Sequence, residues 1–200
     1  MTAPESEEAP SCRLAVLASG SGTILHAIGT SGIGIAVVLC DRPCGAVEVA
    51  TGLGVPVEVV DRSTYGGYGN GFDREGYTKA VVGKLVELSI DVVAMAGFGT
   101  VLAETAYEAF PGRILNTHPA LLPSFPGWHG VEDALRAGVK VTGCTVHIAT
   151  PAVDAGPILA QRAVEVLPGD TVESLHERIK EVERTLYPDT IRAFLEREAK

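Results

Sequence analysis

Continuous apolar runs alternate with stretches of helical periodicity through the first 118 positions of the chain. Apolar runs of strand length occupy residues 13–18, 33–40, 55–60, 91–97 and 112–118. Helical spacing is found at residues 22–29, 46–54, 73–88 and 103–110. Strands that are apolar on both faces and alternate with helices predict an α/β protein, with a mostly parallel twisted sheet covered by helices on both faces.

The pattern changes after residue 118. Residues 131–138 have helical spacing, residues 141–150 alternate as a strand, and residues 158–166 are predicted to pair with that strand in the antiparallel sense. Residues 171–200 predict one long helix or two consecutive helices. Residues 63–72, which are rich in Gly and Tyr, predict a loop.

Four polar or glycine-rich segments directly follow predicted strands. They are residues 19–25 (SGSGTIL), 96–102 (AGFGTVL), 116–123 (NTHPALLP) and 151–157 (PAVDAGP). Because open α/β sheets bind ligands beyond the carboxyl ends of their strands, we expect the functional residues in these segments.

Composition narrows the class of ligand. The 200 residues contain 16 Lys and Arg against 25 Asp and Glu, a net charge of −9, and they show no basic cluster, so small-molecule substrates are expected and nucleic acid is not. Residues 1–11 are acidic and predict a disordered tail, followed by a single domain over residues 12–200. The apolar runs are too short to span a membrane, which favours a cytoplasmic protein.

The cysteines do not have the spacing of a metal site. Cys40 and Cys44 lack a second pair, and Cys12, Cys40 and Cys144 lie in or beside apolar strand-like runs. Buried thiols are therefore expected, and no metal.

The glycine-rich turn at residues 19–25 predicts an anion site. A strand, a glycine turn and a helix start together present unpaired backbone N–H groups to a phosphate. A full dinucleotide fingerprint would have Gly or Ala at Leu25, whereas Asp41 at the end of the second strand fits a ribose-binding acid. A single phosphate is favoured over a dinucleotide, and a tight turn without a ligand stays open.

The spacing of Asn116 and His118 at the end of a predicted strand indicates a catalytic pair. Two residues apart at a strand end, their side chains point to the same side. An amide donor can stabilise an oxyanion, and a histidine can move a proton near neutral pH. Three prolines, Pro119, Pro123 and Pro126, restrict the loop that follows.

An acidic partner for this pair is expected at Asp154. It follows the strand that carries His147, and it would lie beside His118 if the two strands are neighbours. Asp154 could equally form a turn, as Asp near Gly and Pro commonly does. His147 is predicted to be a hydrogen-bonded core residue.

With these motifs in place, the chain resembles a known family. SGSGT, AGF, NTHPALLPSFPGWHG, TGCTVH, VDAGPILAQ and HERIKEVERTLYP, spread over residues 12–192, are similar to the phosphoribosylglycinamide formyltransferases, folate-dependent enzymes of purine synthesis. The resemblance implies a Rossmann-like formyltransferase fold. It also implies direct formyl transfer from 10-formyltetrahydrofolate to the amine of glycinamide ribonucleotide, without a metal.

The resemblance further implies roles for individual residues. Asn116 and His118 would be oxyanion donors, and Asp154 would pair with His118 and assist proton movement. The ribonucleotide would bind Gly20, Ser21, Gly22, Thr23, Ile24, Arg74, Pro119 and Glu183, with Arg74 reaching towards the phosphate and Glu183 contacting the ribose. The folate would bind Gly99, Thr100, Val101, Leu102, Thr150 and Val153.

The chain departs from the family pattern at three of these positions. Ile24 stands where Asn is common, which leaves only backbone contacts to a phosphate. Gly99 and Thr100 replace a long apolar residue and a basic residue, which predicts a thinner and less charged folate wall. Open alternatives are a paralogue that formylates another amine, a hydrolase that releases formate, and a non-catalytic or dinucleotide-binding module; the chain is expected to be a monomer or a homodimer.

Overall fold

A computed structural model describes residues 12–198, so the predicted tail at residues 1–11 lies outside the described residues. Within this range seven strands form one sheet: β1 (Leu14–Ala18), β2 (Ile35–Cys40), β3 (Val57–Val59), β4 (Val92–Met95), β5 (Ile114–His118), β6 (Val141–Ile148) and β7 (Ile158–Glu165). The α-helices are α1 (Thr23–Thr30), α2 (Gly45–Gly52), α3 (Arg74–Glu87), α4 (Glu104–Ala109), α5 (Gly130–Arg136) and α6 (Val172–Glu198).

The strand order is β3-β2-β1-β4-β5-β6-β7. The first five strands pair in parallel, β6 runs antiparallel to β5, and β7 runs antiparallel to β6. The predicted α/β fold and the antiparallel pairing of the last two strands are confirmed. Since β7 reverses direction again, β6 is the strand that opposes the others.

Burial on both sides of the sheet explains the continuous apolar runs. Along β1, Leu14, Val16 and Ala18 belong to a core under α1, α2, α5 and α6, whereas Ala15 and Leu17 face a second core under α3 and α4. Successive residues of a strand point to opposite faces, so a strand buried on both faces is apolar at every position.

Helix α6 is one continuous helix of 27 residues with Pro188 inside it. Its apolar side contains Leu175, Ile179 and Tyr187, all fully buried. The Tyr187 hydroxyl donates a 2.9 Å hydrogen bond to the Leu115 carbonyl of β5, which fixes the helix against the centre of the sheet.

Two smaller expectations need correction. The predicted loop at residues 63–72 begins inside a 3₁₀ helix, Arg62–Tyr65, because the Asp61 carboxylate accepts the Ser63 N–H at 2.8 Å and caps this turn. Of the three thiols expected to be buried, Cys40 and Cys144 are buried, whereas Cys12 is only half-buried at the start of the described chain. No helix in residues 12–198 combines the length and the apolarity needed to cross a membrane.

The strand order reverses between β1 and β4, whose following loops diverge to opposite faces of the sheet. Ser19 joins these two loops: its N–H donates to the Gly97 carbonyl at 3.2 Å, and its hydroxyl accepts the Gly99 N–H at 2.7 Å. The carboxyl ends of β1 and β4 therefore form the floor of a cleft.

Candidate active site

A cavity of about 390 Å³ opens at the carboxyl ends of β1, β4 and β5. It is lined by all but two of the predicted site residues: Gly20, Ser21, Gly22, Thr23, Ile24, Gly99, Thr100, Val101, Asn116, His118, Pro119, Thr150, Val153, Asp154 and Glu183. Segments that are distant in the sequence therefore meet at one site. The carboxyl-end rule accounts for the segments that follow β1, β4 and β5. It does not account for residues 150–154, because they follow the antiparallel strand β6, whose carboxyl end lies beside the amino end of β5.

His118 and Asp154 are in direct contact at the centre of this cavity. His118 Nδ1 lies 3.2 Å from Asp154 Oδ2, and both side chains are nearly inaccessible to solvent. His118 Nε2 lies 2.7 Å from the Phe125 carbonyl, which can only accept a hydrogen bond. Both ring nitrogens of His118 thus face oxygen acceptors, which fixes the orientation of the ring.

Asp154 is held as a carboxylate. Its burial favours the neutral form, but the His147 ring, the Gly127 N–H and the charge on His118 outweigh burial and hold the pKa of this carboxyl below its usual value. The Gly127 N–H donates to Asp154 Oδ2 at 2.7 Å. The Asp154 backbone has φ +53°, a left-handed conformation that Asp tolerates better than most residues.

His147 is buried and hydrogen-bonded, as predicted, but it is also part of the site. Its Nδ1 donates to the Ile148 carbonyl at 3.0 Å, and its Nε2 lies 3.2 Å from Asn116 Nδ2 and 3.5 Å from Asp154 Oδ1. Asn116 and His147 are direct partners across the β5–β6 ladder. We call Asn116, His118, His147 and Asp154 the transfer centre.

Gly130 allows the transfer centre to close. A Cβ atom at this position would lie 2.9 Å from His118 Nε2 and 2.9 Å from the Phe125 carbonyl oxygen. A side chain at the start of α5 would therefore push apart the hydrogen bond between His118 and Phe125.

The glycine-rich turn presents an open helix start. Gly22 has φ +78°, and a Cβ there would lie 2.9 Å from the Ala46 Cα, so the close contact of α1 with α2 requires glycine. No side chain caps α1, and its first intrahelical bond runs from the His26 N–H to the Gly22 carbonyl. The N–H groups of residues 23–25 are left without an intrahelical acceptor. Ile24 buries its side chain in the core, and therefore offers only its backbone to a ligand.

The position of Asp41 in the sequence favoured a dinucleotide-binding site, but Asp41 does not line the cavity. It is fully buried, accepts a 3.0 Å hydrogen bond from the Thr100 hydroxyl, and lies 3.3 Å from Arg42 Nε. This carboxylate supports the wall of the cavity, which removes the sequence argument for a ribose-binding acid.

Gly99, Thr100 and Val101, which the family resemblance predicts to bind folate, line the cavity, and we call them the folate wall. Arg62 Nη1 donates to the Thr100 hydroxyl at 3.0 Å, and a Cβ at Gly99 would lie 3.6 Å from Arg42 Nη2. The expectation of a less charged wall at Gly99 and Thr100 stays a prediction. Two guanidinium groups from other segments, those of Arg42 and Arg62, lie behind this wall.

Both arginines are packed against an aromatic ring. The guanidinium carbons of Arg42 and Arg62 lie 4.8 Å and 4.5 Å from the centre of the Tyr68 ring, and that of Arg62 lies 3.9 Å from the Phe72 ring centre. Stacking of this kind restricts the two side chains and orients them towards the folate wall.

Helix α6 contributes three polar side chains to the cavity: His176, Lys180 and Glu183. Burial raises the pKa of Glu183 to about 7, although a hydrogen bond with Thr117 and the charges of Lys180 and Arg184 act in the opposite direction. Sequence reasoning missed Lys180 and His176. The available signal was their spacing on one helix face, since Lys180 follows His176 by four residues and Glu183 follows Lys180 by three.

Two predicted residues do not reach the cavity. Leu102 is buried in the core beside α4, because the chain turns inward after Val101 to begin that helix. Arg74 is exposed at the start of α3, and its charge acts on Tyr107 at the folate-wall side of the cavity. The structure therefore does not place Arg74 with the glycine-rich turn.

This arrangement is that of a known family. The sequence model of the formyl transferase family matches residues 12–191, and the chain belongs to that family. It is 45% identical over 179 residues to the phosphoribosylglycinamide formyltransferase of Mycobacterium tuberculosis, an alignment that covers 87% of this chain and 80% of that protein.

Two further similarities agree with this assignment. The chain is 40% identical over 183 residues to the trifunctional purine biosynthetic protein adenosine-3 of Gallus gallus, covering 88% of this chain and 18% of that longer protein. A crystal structure of glycinamide ribonucleotide transformylase 1 from Symbiobacterium toebii superposes with a TM-score of 0.85 at 42% identity, covering 92% of this chain and 88% of that one. The predicted fold and family are confirmed.

Proposed function

We propose that this chain transfers a formyl group from 10-formyltetrahydrofolate to the amine of glycinamide ribonucleotide, a step of purine biosynthesis. The observation that carries the proposal is the contact between His118 and Asp154, with Asn116 beside them, in one cavity between the glycine-rich turn and the folate wall. Membership of the formyl transferase family and the names of the relatives support the same reaction.

In this reaction the amine nitrogen bonds to the formyl carbon, whose oxygen becomes an oxyanion. Collapse of the tetrahedral intermediate breaks the bond from the formyl carbon to the folate nitrogen, and one proton passes from the amine to that nitrogen. The protein has to stabilise the oxyanion and to provide a route for this proton.

Asn116 and His118 are positioned to stabilise the oxyanion. The Asn116 amide carries two N–H bonds, and only one of them can point at His147 Nε2. The second is free for the oxyanion. The ring of His118 supplies another donor, because a charged oxygen competes well with the neutral Phe125 carbonyl for the Nε2–H.

Asp154 provides the route for the proton. Its lowered pKa keeps it ionised at neutral pH, and Oδ2 already accepts hydrogen bonds from His118 and Gly127. The carboxylate therefore orients the ring of His118 and can receive a proton from the attacking amine through an intervening water.

The two ends of the cavity suit the two substrates. At one end, the free N–H groups at the start of α1 and the ammonium of Lys180 suit a phosphate, and Glu183 suits a ribose hydroxyl. At the other end, the folate wall, Thr150 and Val153 offer an apolar and backbone-rich surface to a folate. The formyl group would pass between these ends at the transfer centre.

Several accompanying expectations belong to this proposal. Small molecules are the partners that the site suits, and the purine-biosynthesis relatives favour a cytoplasmic protein. A single domain over residues 12–200, the absence of nucleic-acid binding, and a monomeric or homodimeric state stay predictions.

The test is formyl-folate turnover by the purified protein, measured with glycinamide ribonucleotide and without it. Turnover that requires the ribonucleotide, and that is lost in His118→Ala but kept in His26→Ala, supports the proposal; His26 is an exposed histidine on α1. Formate release without the ribonucleotide would identify a hydrolase. The proposed acceptor would be overturned if the protein used formyl-folate only with another amine. It would also be overturned if the protein showed no formyl-folate turnover, with glycinamide ribonucleotide or without it.

A further inference from the structure

The single tryptophan of the chain lies at the cavity. Trp128 is 71% exposed, the largest exposure of any large apolar side chain in residues 12–198. An indole of this size gains little from being left in water, and exposed aromatic side chains at a binding cavity commonly mark a contact with a ligand.

The backbone around Trp128 is tied to the transfer centre. The residue before it, Gly127, donates its N–H to Asp154 Oδ2 at 2.7 Å, and the Phe125 carbonyl accepts from His118. Gly127 has φ +89°, a conformation that glycine adopts without strain. The indole is therefore held beside the reacting groups by a backbone with fixed hydrogen bonds.

A second exposed apolar side chain lies at the same place. Val153 is 51% exposed, lines the cavity and directly precedes Asp154. Trp128 directly follows Gly127, and Val153 directly precedes Asp154. Both apolar residues are therefore chain neighbours of the 2.7 Å hydrogen bond between Gly127 and Asp154. Together they form an apolar rim next to the transfer centre, which a flat apolar ligand would cover.

We propose that Trp128 stacks on the aromatic part of the formyl-folate donor and sets the affinity of this chain for it. This inference rests on the proposed function. Of the two proposed substrates only the folate has conjugated rings, whereas glycinamide ribonucleotide consists of a phosphate, a sugar and an aliphatic amide. Stacking on Trp128 is therefore available to the folate donor and not to the ribonucleotide acceptor.

The first experiment uses the intrinsic fluorescence of the wild-type protein, in which Trp128 is the only indole. We expect 10-formyl-folate to quench or shift the emission in a saturable way, and glycinamide ribonucleotide alone to leave it nearly unchanged. Free N-acetyltryptophanamide corrects for absorption by the folate. The combination Trp128→Phe with Val86→Trp is the matched control, because Val86 is exposed on α3 outside the cavity.

The second experiment compares Trp128→Ala with Trp128→Phe. We expect Trp128→Ala to raise the Kd and KM for the folate about tenfold, with the KM for the ribonucleotide unchanged, and Trp128→Phe to recover most of the loss. The KM split and the rescue by Phe distinguish stacking from a merely structural role, which circular dichroism of both variants also monitors.

The outcomes separate this inference from the function on which it rests. Saturable folate binding by the wild-type protein in equilibrium dialysis, with unchanged indole emission and equal Kd in Trp128→Ala, would overturn the role of Trp128 and leave the proposed function standing. An equal rise in both KM values would also overturn it. Absence of folate binding by the wild-type protein would overturn both.

Discussion

The transfer centre and the folate wall border one cavity but are held in place differently. Three of the four residues of the transfer centre lie on the adjacent strands β5 and β6, where the pairing of Asn116 with His147 fixes their geometry, and a hydrogen bond from the Gly127 N–H holds Asp154 beside them. The folate wall has little side chain of its own, and its shape depends on Ser19, Arg62 and Asp41 from three other segments. Reaction chemistry is thus fixed by strand register, whereas donor binding depends on a network of distant residues.

The largest expected effect comes from breaking the transfer centre. Asp154→Asn keeps the shape of the side chain but removes the charge beside His118, so kcat should fall about 100- to 10,000-fold with little change in either KM. Steady-state kinetics measures this, with His26→Ala as the control. A variant that kept more than a tenth of the activity would show that Asp154 is not needed for proton transfer.

Glu183 lies at the end of the cavity where we propose that the ribonucleotide binds, and its titration predicts how the free energy of unfolding depends on pH. Because burial raises its folded-state pKa from 4.5 to about 7, the folded protein holds this proton more tightly than the unfolded chain does. The stability that this proton contributes is present below pH 4.5 and declines as pH rises towards 7, by about 2 kcal/mol.

Urea unfolding at pH 5 and pH 7 measures this decline. We expect the free energy of unfolding of Glu183→Gln to fall less over this interval than that of the wild-type protein, because Gln does not ionise. Equal declines in both proteins would show that Glu183 titrates in the folded state as it does in the unfolded chain.

A smaller effect on the transfer centre is expected from its packing. Gly130→Ala places a methyl group against His118 Nε2 and the Phe125 carbonyl, and should lower kcat about tenfold by displacing the ring. Gly83→Ala is the matched control, since Gly83 lies on α3 with no atom near its added Cβ. It should keep full activity and raise the free energy of unfolding by up to about 1 kcal/mol.

If Gly130→Ala keeps wild-type kcat, the contact between His118 and Phe125 does not position the ring for catalysis. Unfolding curves for both glycine variants would separate a loss of activity from a loss of folded protein.

The smallest expected effect is at the folate wall. Arg62→Ala removes the hydrogen bond to Thr100 and the stacking on Tyr68, and should raise the KM for the folate about fivefold with kcat and the ribonucleotide KM nearly unchanged. Arg62→Lys should recover part of this loss. A decrease in kcat instead would mean that the wall and the transfer centre are not independent.

The difference between the transfer centre and the folate wall also explains which features of the structure could be predicted from the sequence. The strands and the glycine-rich turn were predictable, because apolar runs and glycine turns are local patterns. The contact of His118 with Asp154 was expected only if β5 and β6 are neighbours, which the sheet shows. Leu102 was misassigned because a motif does not show where the chain turns inward.

The residues that sequence reasoning missed share another property. Arg62 reaches Thr100 across 38 positions, and Lys180 reaches the cavity only because α6 crosses the sheet. Trp128 has no periodic neighbours that would distinguish it from other loop residues. Contacts of this kind depend on tertiary packing. Among them only Lys180, which shares one face of α6 with His176 and Glu183, left a spacing signal along the chain.

The hydrogen bond from Tyr187 to Leu115 has a consequence for proteolysis. It fastens the last helix to the strand that carries Asn116, while the same helix presents Lys180 and Glu183 to the cavity. A nucleotide held between α1 and α6 would therefore oppose detachment of the carboxyl-terminal helix, and cleavage sites exposed by that detachment would be protected in proportion to occupancy. We therefore expect the resistance of this chain to a protease to rise with occupancy of the cavity by the nucleotide.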